Sequence, residues 1–404
     1  MNDHSPTIRR DLELFPINHG GQQVILIRDH LGLVQEGKAI GLPLYQFLAQ
    51  LDGTKTKRDL QMDLMRQRGG VIVGMDEVEN LLQGLDASYL LDSERFREAS
   101  ARIVADFSSM LVRPCSHCGK AYPGTPHELK NRLDEILKDS QPGKTPDNML
   151  RALVAPHIDL TVGHRVYASA YRMMESVKPD RVIVLGVGHR LGSDLFSVTD
   201  KDFETPVGTI RGDHICVREL RDAGGDLIAA NDFAHRSEHS IEFQAIFIRH
   251  LLQDHKFTMI PVLCGSFQTS LSEYSRDSFI EKAGPFLLKL EEILSDTHHK
   301  TLLIAGVDLS HVGPKFGHEI PAQQIINQSE AHDKRLLEYL TAFDADGFWE
   351  ESGRVKDQFN VCGFSALACL LEVLPKCDGE ILDYEIWHEE PTRSAVSFAA
   401  VAFT

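Results

Sequence analysis

Four stretches of the chain are apolar at almost every position: ALVA at 152–155, RVIVL at 181–185, FTMIPVL at 257–263 and TLLIAGV at 301–307. Short runs of this kind read as strands buried on both faces. The first is ended by Pro156 and the second by Gly186 and Gly188. Between them Val166, Ala170, Met173, Met174 and Val177 recur at helical spacing, so 153–190 is a strand, helix, strand unit. The pattern continues with helices starting at Ile215 and, under a Ser237 cap, over Ile241, Ala245 and Ile248. Further helices are expected over Phe279–Leu294, Ala322–Leu340, from Asp344, and over Phe364–Leu374. Strands at 381–387 and 394–403 close the chain, SAVSFAAVAF being small and apolar enough to be fully buried. This predicts an α/β domain with a central, mostly parallel sheet flanked by helices.

The first hundred residues have a different texture. Leu12–Pro16 and Val24–Arg28 read as short strands around Gly20 and Gly21, and Leu42–Leu51 as a helix. Thr56–Arg68 places Leu60, Leu64 and Met65 on one helical face. Val71–Val73 reads as a brief strand and Met75–Leu91 as a third helix. The expected result is a small α+β winged-helix domain over 1–100, then a linker at 101–110 and the main domain at 111–404. Within the latter, QPGKTPDN at 141–148 has the composition of an exposed loop, and Thr125 with Glu128 the spacing of a helix cap.

With 404 residues, 42% of them hydrophobic, the chain can bury a large core. Its formal net charge of −17 argues against a nucleic-acid partner or an anionic membrane surface. Residues 1–100 carry 11 Lys plus Arg against 15 Asp plus Glu, a net of −4, the wrong sign for a DNA-reading winged helix. The N-terminus has no apolar leader, no run reaches the roughly 18 apolar residues of a membrane span, and the seven cysteines form no disulfide framework. A cytoplasmic protein is expected.

Candidate chemistry gathers at strand ends. His157 follows the first apolar strand and His189 the second. The carboxyl ends of parallel strands are where open α/β sheets bind ligands, and two imidazoles there can converge on one metal ion. A third ligand must come from later in the chain. Cys362, in NVCGFSAL, is either that ligand or a packing cysteine at the head of an apolar helix. The strand at 301–307 runs into Asp308 and His311, and His239 falls in the first turn of its helix. Cys115 and Cys118 form a CxxC pair around His117, but no second pair stands at zinc-site spacing, and two reduced thiols are the simpler reading.

Taken together and in order, RPCSHCGKAY, APHIDLTVGHRVYASAY, VIVLGVGH, SEHSIEFQ, IPVLCGS, AGVDLSHVG, NVCGFSAL and SAVSFAAVA resemble the Memo family, also called AmmeMemoRadiSam system protein B. The likeness spans 111–404 and implies a class III extradiol dioxygenase-like fold. It puts metal ligands on His157, His189 and Cys362 and further pocket residues on His239, Asp308 and His311. In that reading His311 or His239 is an acid or base and Asp308 orients it. The metal would be iron (Fe2+) or copper, and the activity that of a dioxygenase-like oxidoreductase or, alternatively, a non-catalytic metal-binding or scaffold protein. The chain departs from the family in having Ile158 and Asp159 after the first histidine and Arg190 after the second. Asp159 is expected to add a carboxylate near the metal, and Arg190 a fixed positive charge beside the pocket. The N-terminal segment, LIRDHLGLV then IGLPLYQFLAQLDGTKTKRDLQMDLM, resembles PqqD-like domains, which implies capture of an extended peptide. With the family's radical SAM association, that points to a peptide or radical SAM protein partner.

Overall fold

The computed structural model describes residues 4–139 and 150–404, so the expected loop at 141–148 lies outside the described residues. The chain forms two compact units, Met1–Ser109 and Met110–Thr404.

In the first unit, Glu13–His19 and Gln22–Arg28 form an antiparallel hairpin, and Ala39–Gly41 adds a third strand to it. Helices Leu42–Leu48, Lys57–Gln67, Met75–Ala87 and Glu94–Ser109 follow. Thr56 and Asp59 exchange hydrogen bonds as a capping box at the second helix. Ile25, Ile27, Phe47, Leu60, Leu64, Val78 and Leu82 make the core. Two expectations are corrected. Val71–Val73 is not a strand: Ile72 is 84% exposed, and the Val73 carbonyl accepts from the Gln61 side chain rather than from a ladder. Among the described residues, the expected helix–helix–strand–helix run is therefore a run of helices, following the strands that were expected ahead of it. The stretch 101–110, expected as a linker, is mostly helix; its register is set upstream, where Ser93 caps Phe96 and the Arg9 guanidinium stacks 4.1 Å over the Phe96 ring.

The second unit is built on a nine-stranded sheet. Its path runs His311–Val312, Ser394–Phe403, Ala152–Ala155, Thr301–Gly306, Arg181–Val187, Thr258–Cys264, Phe196–Val198, with Gly379–Glu389 on Ser394–Phe403 and Arg211–Gly212 on Thr258–Cys264. The four predicted apolar strands are adjacent and parallel at its centre. The whole is mixed rather than mostly parallel, because the C-terminal strand inserts antiparallel beside Ala152–Ala155 and brings its own antiparallel partners. Every residue of Arg181–Val187 and of Ser394–Phe403 is buried. Successive side chains point to opposite faces of a sheet, so the continuous apolar runs feed two cores. Ile183, Leu185 and Val187 meet the helices of one layer, while Val182 and Val184 meet those of the other, including His239–Leu251. Among the described residues no helix is long and apolar enough to cross a membrane.

All six candidate site residues follow Ser109. A chain of residues 110–404 is therefore expected to melt cooperatively and to bind as much metal as the full protein, measured by circular dichroism and elemental analysis. A folded product that has lost its metal would contradict this.

Candidate metal centre

The sheet register brings the candidates together. Gly306 pairs with Ala155 on one side and with Gly186 on the other. His157 lies two residues beyond Ala155, Asp308 two beyond Gly306 and His189 three beyond Gly186, so all three emerge at one edge with the Asp308 strand in the middle. Buried Asp308 spans to its neighbour: its Oδ1 accepts the N–H of His157 at 2.9 Å and of Ile158 at 3.3 Å. Its main chain holds the third candidate, since Gly363 N–H donates to Asp308 O at 3.1 Å and the Cys362 thiol sits 3.5 Å from the same oxygen. A Cβ at Gly363 would lie 2.6 Å from that oxygen, so only glycine permits the approach.

The histidine tautomers follow from their partners. His157 Nδ1 is 3.0 Å from the Gly306 carbonyl, which can only accept, so Nδ1 carries the proton and the Nε2 lone pair faces Cys362 Sγ at 3.5 Å. His189 Nδ1 donates to both oxygens of Glu238, at 3.0 and 3.1 Å, leaving its Nε2 free. Ligand atoms of His157, His189 and Cys362 all lie within 4.8 Å of one another. His239 heads its helix beside them, its ring centroid 5.0 Å from both His157 and His189. That helix can come so close because residue 306 is glycine: a Cβ there would stand 2.4 Å from Ser240 O. His311 donates from Nδ1 to Leu309 O at 3.0 Å. All six candidates line one cleft of about 910 Å³.

Electrostatics sort these groups. Burial, then the neighbouring His239 and His189, hold His157 well below the usual histidine range, which keeps it neutral as a ligand must be. His189 goes the other way: burial disfavours its charge, but the Glu238 carboxylate outweighs burial and raises it. Glu238 is lowered despite burial, by His189 and His239. Burial pushes His311 down to about 4 and raises both Asp308 and the Cys362 thiol. A half-buried thiol within 4.8 Å of two imidazole nitrogens fits a bound cation, which would hold it as thiolate. The donors suit a transition metal of borderline or soft character.

A second convergent group, His189, Glu238 and His239, overlaps the first. Glu238 is committed to protein donors, accepting from Ser240 N, His189 N and His189 Nδ1, with His239 Nδ1 3.3 Å away. It is the carboxylate behind His189. Asp308, expected to orient His311 or His239, instead accepts the backbone N–H groups of His157 and Ile158 through Oδ1, with Oδ2 3.6 Å from His157 Nε2. Ser237 is not the helix cap; Glu238 is, and Ser237 Oγ accepts from Arg190 Nη1 at 2.9 Å. Asp159 is exposed and accepts from Thr161 N at 2.7 Å, outside both ligand groups.

Sequence reasoning also missed what RPCSHC does. Glu242, one turn into the helix of His239, pairs with the fully buried Arg113 and accepts from Ser116 N, Ser116 Oγ and His117 N at 3.0, 2.7 and 2.8 Å. This fastens the loop to the site and turns His117 into the cleft, 5.8 Å from the His239 ring. The available signal was Glu238 and Glu242 on either side of the helix start. Neither Cys115 nor Cys118 belongs to a three-ligand group among the described residues.

The sequence profile described as "Memo-like protein" matches residues 113–402. A MEMO1 family protein of Aquifex aeolicus is 33% identical over 384 residues, covering 94% of this chain and 95% of that one, so the match extends into the first unit. A MEMO1 family protein of Thermus thermophilus is 26% identical over 344 residues, 85% of this chain and 97% of its own. The protein memo-1 homolog of Caenorhabditis elegans is 25% identical over 270 residues, 65% of this chain and 71% of its own.

The Arg113–Glu242 clamp generates a pH prediction. Coulombic attraction to Arg113 and the hydrogen bonds from His117 and Tyr122 outweigh burial and lower Glu242 far below its ordinary value of 4.5. Its contribution to stability is therefore complete above about pH 4.5 and lost as pH falls towards the folded value. Glu242→Gln should destabilise the protein by roughly 3–5 kcal/mol at neutral pH, by leaving a buried guanidinium unpaired. It should also flatten the acid limb of the stability profile. Urea titrations from pH 3 to 7 check this, and parallel profiles for the two proteins would refute it.

Proposed function

The chain belongs to the Memo-like protein family, and from that premise we propose that it is a non-haem metal protein acting as a redox enzyme. His157, His189 and Cys362 hold iron or copper. The observation that carries the reading is the convergence of two imidazoles and a thiol at the carboxyl edge of the sheet, each imidazole having its other nitrogen tied to an acceptor. When bound, the metal supplies electron transfer and activation of a small ligand.

The protein's own residues bind, orient and move protons around that centre. His157 stays neutral because burial and two neighbouring imidazoles oppose a charge. Glu238 polarises His189 and fixes its ring. His311, neutral above about pH 4 and with Nδ1 committed to Leu309 O, offers Nε2 as a proton acceptor; His239 faces the same space. Phe243, Phe267, Phe316 and Trp387 line the cleft and give it apolar wall surface. Asp308 acts through the main chain, holding the His157 and Cys362 loops at one spacing. The substrate proposed is a peptide or protein segment, with the Met1–Ser109 unit as its docking element.

Three variants test the ligand assignment, with iron, copper and zinc read by mass spectrometry. Cys362→Ala should lose most of its metal and keep its fold, because two neutral imidazoles retain a divalent ion poorly. Cys369→Ala, at a fully buried cysteine seven residues along, should cost stability by about 1 kcal/mol and leave metal unchanged. Cys362→Asp should shift preference from copper towards iron. Unchanged metal in Cys362→Ala would contradict the assignment. Oxygen uptake by the iron-loaded protein with candidate substrates separates enzyme from metal binder.

A further inference from the structure

The cleft has a charge pattern that metal binding does not use. Apart from histidines, its charged lining residues are Asp159, Asp308, Asp357 and Lys315. Lys315 is matched by Glu389 at 2.8 Å, and Asp308 is engaged by the backbone of His157 and Ile158. Asp159 and Asp357 remain. Asp159 accepts from Thr161 N and Asp357 from Val361 N at 3.3 Å, and among the described residues neither meets a Lys or Arg side chain.

Asp357 is held in place with some strain. It has φ 53°, and Lys356 and Asn360 nearby have 50° and 49°, conformations that cost non-glycine residues energy. Asn360 fixes the loop by donating from Nδ2 to His311 O at 3.1 Å and Phe316 O at 3.2 Å. Burial raises the Asp357 carboxyl to about 6. A half-buried carboxylate without a cation is costly, and a positively charged ligand would relieve that cost. The same cleft is lined by Phe243, Phe267, Phe316, Phe364 and Trp387, aromatic rings whose negative quadrupoles also favour cations. The net charge of −17 attracts cations at longer range.

We propose that the cleft selects a cationic organic substrate, an ammonium or guanidinium group on an apolar or aromatic body, with Asp357 and Asp159 as its charge-recognising residues. This deepens the reading of the cleft as a metal-dependent site and rests on it for the chemistry, though not for the binding preference. A side chain of lysine or arginine on a peptide, or a free amine, meets the requirement equally, and the cleft reads the cation in either case.

The test uses the full chain at pH 7.5 and two probes of similar shape, benzyltrimethylammonium, which cannot ligate a metal, and neutral benzyl alcohol. Dissociation constants are measured by ligand-observed NMR titration, with metal content determined on the same samples. The expected result is about tenfold tighter binding of the cation. Asp357→Asn and Asp159→Asn should each reduce that ratio and together bring it near one, without changing alcohol binding or metal content. Equal binding of the two probes by the wild type, no binding of either, or a preference that survives in the double variant would overturn the proposal. A metal-free wild type that still prefers the cation would remove the metal reading and leave this one standing.

Discussion

The site depends on one buried carboxylate. Asp308 leaves the middle of three adjacent parallel strands, and its Oδ1 takes two N–H groups from the neighbouring strand end, so the His157 loop cannot shift without leaving a carboxylate unsatisfied in a water-poor interior. Its main-chain oxygen takes the Gly363 N–H and fixes the start of the last helix, and with it Cys362. A single residue thereby sets the separation between the first and third ligand candidates. His189 belongs to the strand on its other side and is fixed independently, by Glu238.

The same groups show how a fold can hold three histidines and a thiol within a few ångströms without filling the space with positive charge. Burial keeps His157 and His311 neutral, and the one imidazole driven towards protonation, His189, has its own carboxylate. Glu238 and Glu242 lie a turn apart at the start of one helix and do separate work. The first faces the ligand set, and the second fastens the Arg113–His117 loop against Arg113. The polar head of that helix reaches the sheet edge because a glycine at 306 leaves room for it.

The central strands were legible because they are written in local pattern: four apolar runs ending in proline, glycine or a polar residue, with a histidine or aspartate just after three of them. Cys362 had no such signal, and only the family resemblance chose for it between ligand and packing cysteine. The carboxylate behind His189 was not legible, since Glu238 comes 49 residues later and its role appears only once helix and strand are packed. The clamp across Arg113 and Glu242 spans 129 residues and has no periodic signal. The Val71–Val73 strand failed for the converse reason: β-branched residues satisfy strand propensity, yet nothing packs on Ile72, and propensity alone does not make a strand. The helix Glu94–Ser109 was overlooked because its larger apolar residues, Phe96, Ile103, Val104 and Phe107, are few among charged and small ones.

The most direct test of the account is X-ray absorption at the metal edge of the purified, metal-replete protein. Coordination by His157, His189 and Cys362 predicts one sulfur scatterer near about 2.3 Å together with imidazole nitrogens near about 2.0 Å, using zinc-site distances as the guide. The sulfur shell should vanish in Cys362→Ala. A wild-type spectrum fitted by nitrogen and oxygen alone would contradict the assignment of the thiolate and the chemistry built on it.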